Sequence, residues 1–200
     1  MRRSEFNIDT PETIEEFLNT CEYGTLSLID SEAKPYSVPL NFASWEEGIV
    51  FHGASEGKKV TLIAHNPQAS FSVVKPYALI PSYFSHTRSA CPATQFFGSV
   101  LMHGTITILE NREQKADALN AIMQKLQPEG AYEPLSPNNP IYTKMLESTA
   151  VFYLKVDTRS FKLKVAQNLT QERKESLIEE LEKRATPLDK ETIALMRLYM

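Results

Sequence analysis

Ser37-Val-Pro-Leu-Asn-Phe-Ala-Ser-Trp-Glu-Glu-Gly-Ile-Val-Phe-His-Gly-Ala-Ser-Glu-Gly-Lys-Lys-Val-Thr-Leu-Ile-Ala-His-Asn-Pro67 governs how the rest of the chain is read. Tyr36, Val38, Leu40 and Phe42 alternate with Ser37, Pro39, Asn41 and Ala43, the period of two that marks a strand. Trp45 to Gly48 predicts a turn, and Ile49 to His52 the returning strand of a hairpin. Gly53 to Gly57 breaks the sheet, and Lys58 to Asn66 predicts one short helix stopped by Pro67. A helix thus begins at the end of a strand, among small residues and two lysines. Its open N–H groups and dipole favour a phosphate there. Lys58 and Lys59 also have a plainer reading, as solvated charges opening a surface helix.

Outward from this stretch, Thr10-Pro-Glu reads as the start of a helix whose apolar face is Ile14, Phe17 and Leu18. Gly24 to Asp30 is β-prone, and Ser31 to Pro35 turns it into the opening stretch. Ala69, Phe71 and Val73 alternate as another strand, while Lys75 to Pro92 shows no sustained period and reads as a long loop. Gln95 to Leu109 predicts a long strand, with Gly98 and Gly104 permitting a bulge or sharp coil. Asn111 to Gln127 is an amphipathic helix, followed by a proline-rich loop from Ala131 to Pro140. Val151 to Val156 and Phe161 to Val165 read as strands joined by a turn; helices follow to Arg184 and from Thr186-Pro187.

At 200 residues, 42% hydrophobic and 23% charged, the chain suits an ordinary globular protein with one buried core. A net charge of −4 offers no general attraction to nucleic acid or an anionic membrane. No apolar run approaches the ~20 residues needed to span a bilayer, and the polar N-terminus lacks a signal-peptide core, so a cytoplasmic protein is expected. Two cysteines, Cys21 and Cys91, make no disulfide scaffold, and no spacing suggests a metal site. Nothing resembles a Ser-His-Asp set, a paired-carboxylate site or a Walker loop.

The block Gly48 to Lys59, followed by Leu62 and Asn66-Pro67, resembles the FMN-binding split barrels related to pyridoxamine 5'-phosphate oxidase. Met1-Arg-Arg3, Ile80 to Phe84, Ala90 to Thr94 and Lys125 to Gly130 resemble the flavin-nucleotide-binding, 5-nitroimidazole-resistance-like branch. Lys164, Gln167, Asn168, Arg173, Ile178 and Leu181 resemble a signature shared with FMN-binding negative transcriptional regulators. The resemblance is broad from about residue 2 to 184. It implies a mainly β fold with peripheral helices: a six-stranded antiparallel Greek-key split barrel, helices packed at its ends. Residues 1–185 would form that domain, and the helix in 186–200 would dock on the barrel or on a partner subunit.

The same resemblance implies a flavoprotein homodimer with FMN at the interface, FAD and haem being the alternatives. Lys58 and Lys59, with Ser55, would hold the phosphate; Leu40, Asn41 and Phe42 would border the flavin ring. Ser99 occupies the position that reaches the phosphate or ribityl chain, with Gln95 on the same face. Tyr83, His86 and Arg88 would come from a flap contacting substrate, the alternative being a loop whose aromatics pack locally. His52 is either a cofactor or catalytic residue or a hydrogen-bonded structural one; His65 and His103 read as structural. The implied activity is oxidoreduction of a small molecule, nitroreductase-like or pyridoxamine-phosphate-oxidase-like. A flavin-binding sensor without turnover, and a haem-binding or haem-degrading protein, are the other classes.

Overall fold

The computed structural model describes residues 4–8, 10–85 and 88–200. Eight strands and six helices follow in chain order: β1 (Asn7–Ile8), α1 (Pro11–Asn19), β2 (Tyr23–Ile29), β3 (Pro35–Asn41), β4 (Ala43–Trp45), β5 (Gly48–Ala54), α2 (Lys58–His65), β6 (Gln68–Ile80), β7 (Thr94–Ile108), α3 (Arg112–Leu126), α4 (Thr143–Ser148), β8 (Thr149–Lys164), α5 (Gln171–Arg184) and α6 (Pro187–Leu198). The chain divides into two compact units. The larger holds Pro11–Val73 and Val100–Arg159; the smaller holds the N-terminal residues to Thr10, Val74–Ser99 and Ser160–Met200.

The strands form a mainly antiparallel sheet of order β3-β2-β6-β7-β8-β5-β4, with β1 paired to β8. This is the split-barrel class the sequence implied, with eight strands where six were expected. The two extra are short. β1 has two residues, and β4 is a three-residue piece set off from β3 at Phe42. Asp30 closes the β2–β3 turn, its carboxylate accepting from the Glu32 and Lys34 N–H groups at 3.0 and 2.8 Å.

Side-chain alternation on β5 divides the interior of the larger unit. Phe51 stacks on Phe152 at 5.2 Å and on Phe71 at 6.3 Å, and Phe42 meets Phe71 edge-on at 5.2 Å. Val50, pointing the other way, joins Ala43, Val151 and the apolar side of α3, chiefly Ala118, Leu119 and Ile122. Burying side chains of this size contributes about 1.5–3 kcal/mol each. A Cβ at Gly104 would meet the Lys155 carbonyl oxygen at 1.9 Å, so β8 reaches this close only over a glycine.

Three segments differ from the sequence reading. β6 runs on to Ile80, so much of the expected loop is strand; Phe71, Val73, Tyr77, Ala78 and Ile80 are all buried along it. β8 continues through the expected turn, where Asp157, Arg159 and their neighbours are exposed and leave no apolar period to read. α4 escaped notice because six residues are too few to show a helical period. Among the described residues no helix is long and apolar enough to cross a membrane.

Candidate functional site

β5 ends at Ala54, and Ser55, Glu56 and Gly57 form an exposed bend leading into α2. Gly57 is the N-cap at φ 109°, a left-handed conformation that a side chain would strain, and among the described residues no side chain caps the helix. The first N–H groups of α2 therefore face outward with the positive end of its dipole. The two lysines that follow lie over aromatic rings. Lys58 Nζ is 5.1 Å from the centre of the Tyr36 ring; Lys59 Nζ is 4.5 Å from that of Phe152 and 5.5 Å from that of Phe51.

Gly53 makes room for the second lysine, since a Cβ there would sit 2.6 Å from Lys59 Nζ. Burial lowers the Lys59 pKa. Among the described residues neither lysine has an ion-pair partner. Two unpaired cations beside an uncapped helix start fit a phosphate dianion, whose oxygens take both ammonium and N–H donors.

The remaining expected residues lie as follows. Leu40 and Asn41 are half-buried on β3, with Asn41 Nδ2 donating to the Glu22 carbonyl at 3.0 Å. Phe42 turns inward and is fully buried. His52, next along β5 from Phe51, projects to the opposite face. There it lines a cavity of about 290 Å³ with Leu119, Met123, Tyr132 and Tyr142. Although exposed at its surface, His52 is held below its ordinary pKa, first by crowding from protein atoms and then by the Lys59 charge.

Gln95, Ser99, Tyr83 and Arg88 belong to the smaller unit. Gln95 Nε2 donates to the Tyr77 and Phe96 carbonyls, at 2.6 and 3.0 Å. Ser99 is half-buried, Tyr83 and Arg88 exposed. His86 lies outside the described residues. His65 is exposed in the last turn of α2, and His103 is exposed on β7. Sequence reasoning missed Tyr36 and Phe152 as supports for the lysines. Each comes from a different strand, so no local spacing announces either.

A family model described as pyridoxamine 5'-phosphate oxidase matches residues 10–163. The chain belongs to this family. Family membership spans the whole larger unit, and with it α2 and both lysines. Similar solved structures include a "putative 5-nitroimidazole antibiotic resistance protein" from Bacteroides thetaiotaomicron, at 21% identity over 78% of this chain and 85% of that one, TM-score 0.63. The FAD and heme binding protein from Mycobacterium smegmatis is 19% identical over 78% and 72%, TM-score 0.64. The flavocytochrome Anf3 from Azotobacter vinelandii is 23% identical over 80% and 69%, TM-score 0.65. At these identities the likeness establishes the fold. No curated protein matches.

Proposed function

We propose that this family member binds a flavin mononucleotide at the start of α2 and is an oxidoreductase of small molecules. The carrying observation is the α2 N-terminus, with Lys58 and Lys59 beside it, which among the described residues has no side-chain cap and whose two lysines have no acid partner. Those two cations and the N–H groups would hold a single terminal phosphate, and Ser55 is near enough in sequence to join them. Leu40 and Asn41 are the accessible part of the segment that would border the ring. Flavin supplies the redox chemistry when bound; the protein sets orientation and local charge. His52, kept neutral, can donate or accept a hydrogen bond at a substrate.

The reading includes a homodimer with the cofactor at its interface. It is supported by apolar side chains left exposed on strands of the larger unit, Tyr23, Ile29 and Leu101 among them. A reducing compartment such as the cytoplasm suits a chain with two cysteines, Cys91 exposed and Cys21 buried. A second reading, haem binding, is favoured by a neutral imidazole at the rim of an apolar cavity and by two fold relatives whose names include haem or a cytochrome. Absorbance of the purified protein separates them: a flavin doublet supports the first, a Soret band the second. Oxidation of a nicotinamide donor with a nitro-compound acceptor then distinguishes an enzyme from a sensor without turnover.

A further inference from the structure

The smaller unit holds a cavity of about 280 Å³, near the lower end of the range for small-molecule sites. Its polar lining is Lys164, Asn168, Arg173, Ser85 and Thr94, and none of its lining residues is acidic. Lys164, Asn168 and Arg173 belong to a run of the sequence that the α2 site leaves unused. Both cations lie beyond residues 10–163, the part matched by the family model.

Each cation is held at the cavity wall by a bond to another lining group. Lys164, the last residue of β8, donates to the Thr94 hydroxyl; Arg173, in the first turn of α5, donates to the Ser85 hydroxyl. Arg173 also donates to the Phe84 carbonyl at 3.1 Å and to the Ser176 hydroxyl at 3.4 Å. These three bonds anchor α5 and end on neutral oxygens, leaving two of the five guanidinium N–H donors uncommitted among the described residues. Among those residues Arg173 has no acid partner either.

The wall between the two cations is braced. Ala166, itself a lining residue, turns the chain at φ 73° and is buried, whereas the other left-handed non-glycine residues, Ala33, Glu46, Ala131 and Ala185, are exposed. Gln167 locks that turn: its Oε1 accepts from the Val165 N–H and its Nε2 donates to the Leu163 carbonyl, both at 2.8 Å. Strained backbone persists only where its surroundings over-determine it, and such positions gather at ligand clamps. Thr170 then caps α5, so the positive end of the helix dipole falls between Leu169 and Arg173, two more lining residues.

Two cations and no lining acid select an anion, and the rest of the wall is apolar, chiefly Phe96, Leu169 and Leu177. We infer that this cavity binds a small organic acid, its carboxylate shared between Lys164 and Arg173 and its apolar body, the size of one ring, against those three side chains. A carboxylate offers one oxygen to each cation. A phosphate carries oxygens on every side, and those against the apolar wall would go unbonded.

Calorimetric titration of the full chain with phenylacetate, phenylacetamide and inorganic phosphate, at pH 7 and constant ionic strength, tests the assignment. The acid should bind at least roughly tenfold more tightly than its neutral amide. Lys164→Met should weaken acid binding by about ten- to a hundredfold, and Asn168→Asp, at an exposed position, by roughly tenfold through repulsion. Lys58→Ala/Lys59→Ala should bind the acid as the natural chain does, since no lining residue lies at α2. Absence of acid binding, equal binding of acid and amide, undiminished binding in Lys164→Met or Asn168→Asp, loss of binding in the α2 double variant, or tighter binding of phosphate than of the acid would overturn the proposal. Should Lys164→Met not fold, Asn168→Asp and the acid–amide pair decide it.

Discussion

In the smaller unit Arg184 donates through two nitrogens to both carboxylate oxygens of Asp189, which also accepts from the Thr186 N–H and completes the capping box of α6. Lys75 pairs with Glu191 at 2.7 Å, Thr192 Oγ accepts from the Ala78 N–H, and Arg173 donates to the Phe84 carbonyl and Ser85. In the larger unit Lys58, Lys59 and Lys125 rest on aromatic rings, with no ion-pair partner among the described residues. One region uses its charges to fix helices to strands. The larger unit has ion pairs of its own, such as Arg112 with Glu147 and Arg159 with Glu15, but among the described residues Lys58, Lys59 and Lys125 keep only ring contacts there, each worth about 0.5–2 kcal/mol, and the proposed function gives Lys58 and Lys59 a phosphate.

The sharpest way to break this contrast is to replace Lys58 and Lys59 together with alanine. If they hold phosphate, the loss is about 1.5–3 kcal/mol each, so FMN affinity measured by fluorescence quenching should fall at least roughly a hundredfold. The cofactor-free protein should melt within a degree or two of the natural chain, since only weak ring contacts are lost. A large drop in melting temperature would make the lysines structural, like their counterparts in the smaller unit.

Asp189→Ala should do the reverse. It leaves Arg184 with a broken, largely buried pair and costs about 3–5 kcal/mol in chemical denaturation, with intrinsic FMN affinity unchanged. Stability equal to that of the natural chain would remove the structural half of the comparison.

A smaller effect comes from acid. The Arg184 hydrogen bonds lower the Asp189 pKa from 3.8 to about 2, so the folded state favours the carboxylate. Its contribution, about 2 kcal/mol, is complete above pH 4 and disappears as pH falls towards 2. Denaturation midpoints measured from pH 5 to pH 2 should fall less steeply in Asp189→Asn than in the natural chain.

The smallest expected effect belongs to His52. Its lowered pKa means that the unfolded chain takes up a proton first, so stability should decline slightly as pH drops below about 6.5, and His52→Gln should abolish that decline. An identical slope in the variant would show that His52 is not shifted.

Much of the larger unit was legible because its signals are local. The hairpin periodicity, the Gly57 break and the Asn66-Pro67 stop lie within one stretch, and the Asn111 cap of α3 accepts from Glu113 and Gln114 close by. The course of β6 past Val74 was not legible, because its alternation becomes irregular through Lys75 and Pro76, next to the run Tyr77-Ala-Leu-Ile80. The ring supports of the lysines were hidden for another reason. Tyr36, Phe51 and Phe152 read simply as strand aromatics until folding brings two of them under Lys59 and one under Lys58. The sequence signal near Lys125 was the resemblance carried by Lys125 to Gly130; that its ammonium is buried with no hydrogen-bond partner among the described residues follows from packing alone.

The most direct measurement compares FMN with riboflavin, which differ only in the phosphate, by titration into the natural chain and into the Lys58→Ala/Lys59→Ala variant. FMN should bind the natural chain at least roughly a hundredfold more tightly than riboflavin, and that gap should largely close in the variant. Equal affinity for the two flavins in the natural chain, or a gap that survives loss of both lysines, would contradict a phosphate seat at the start of α2.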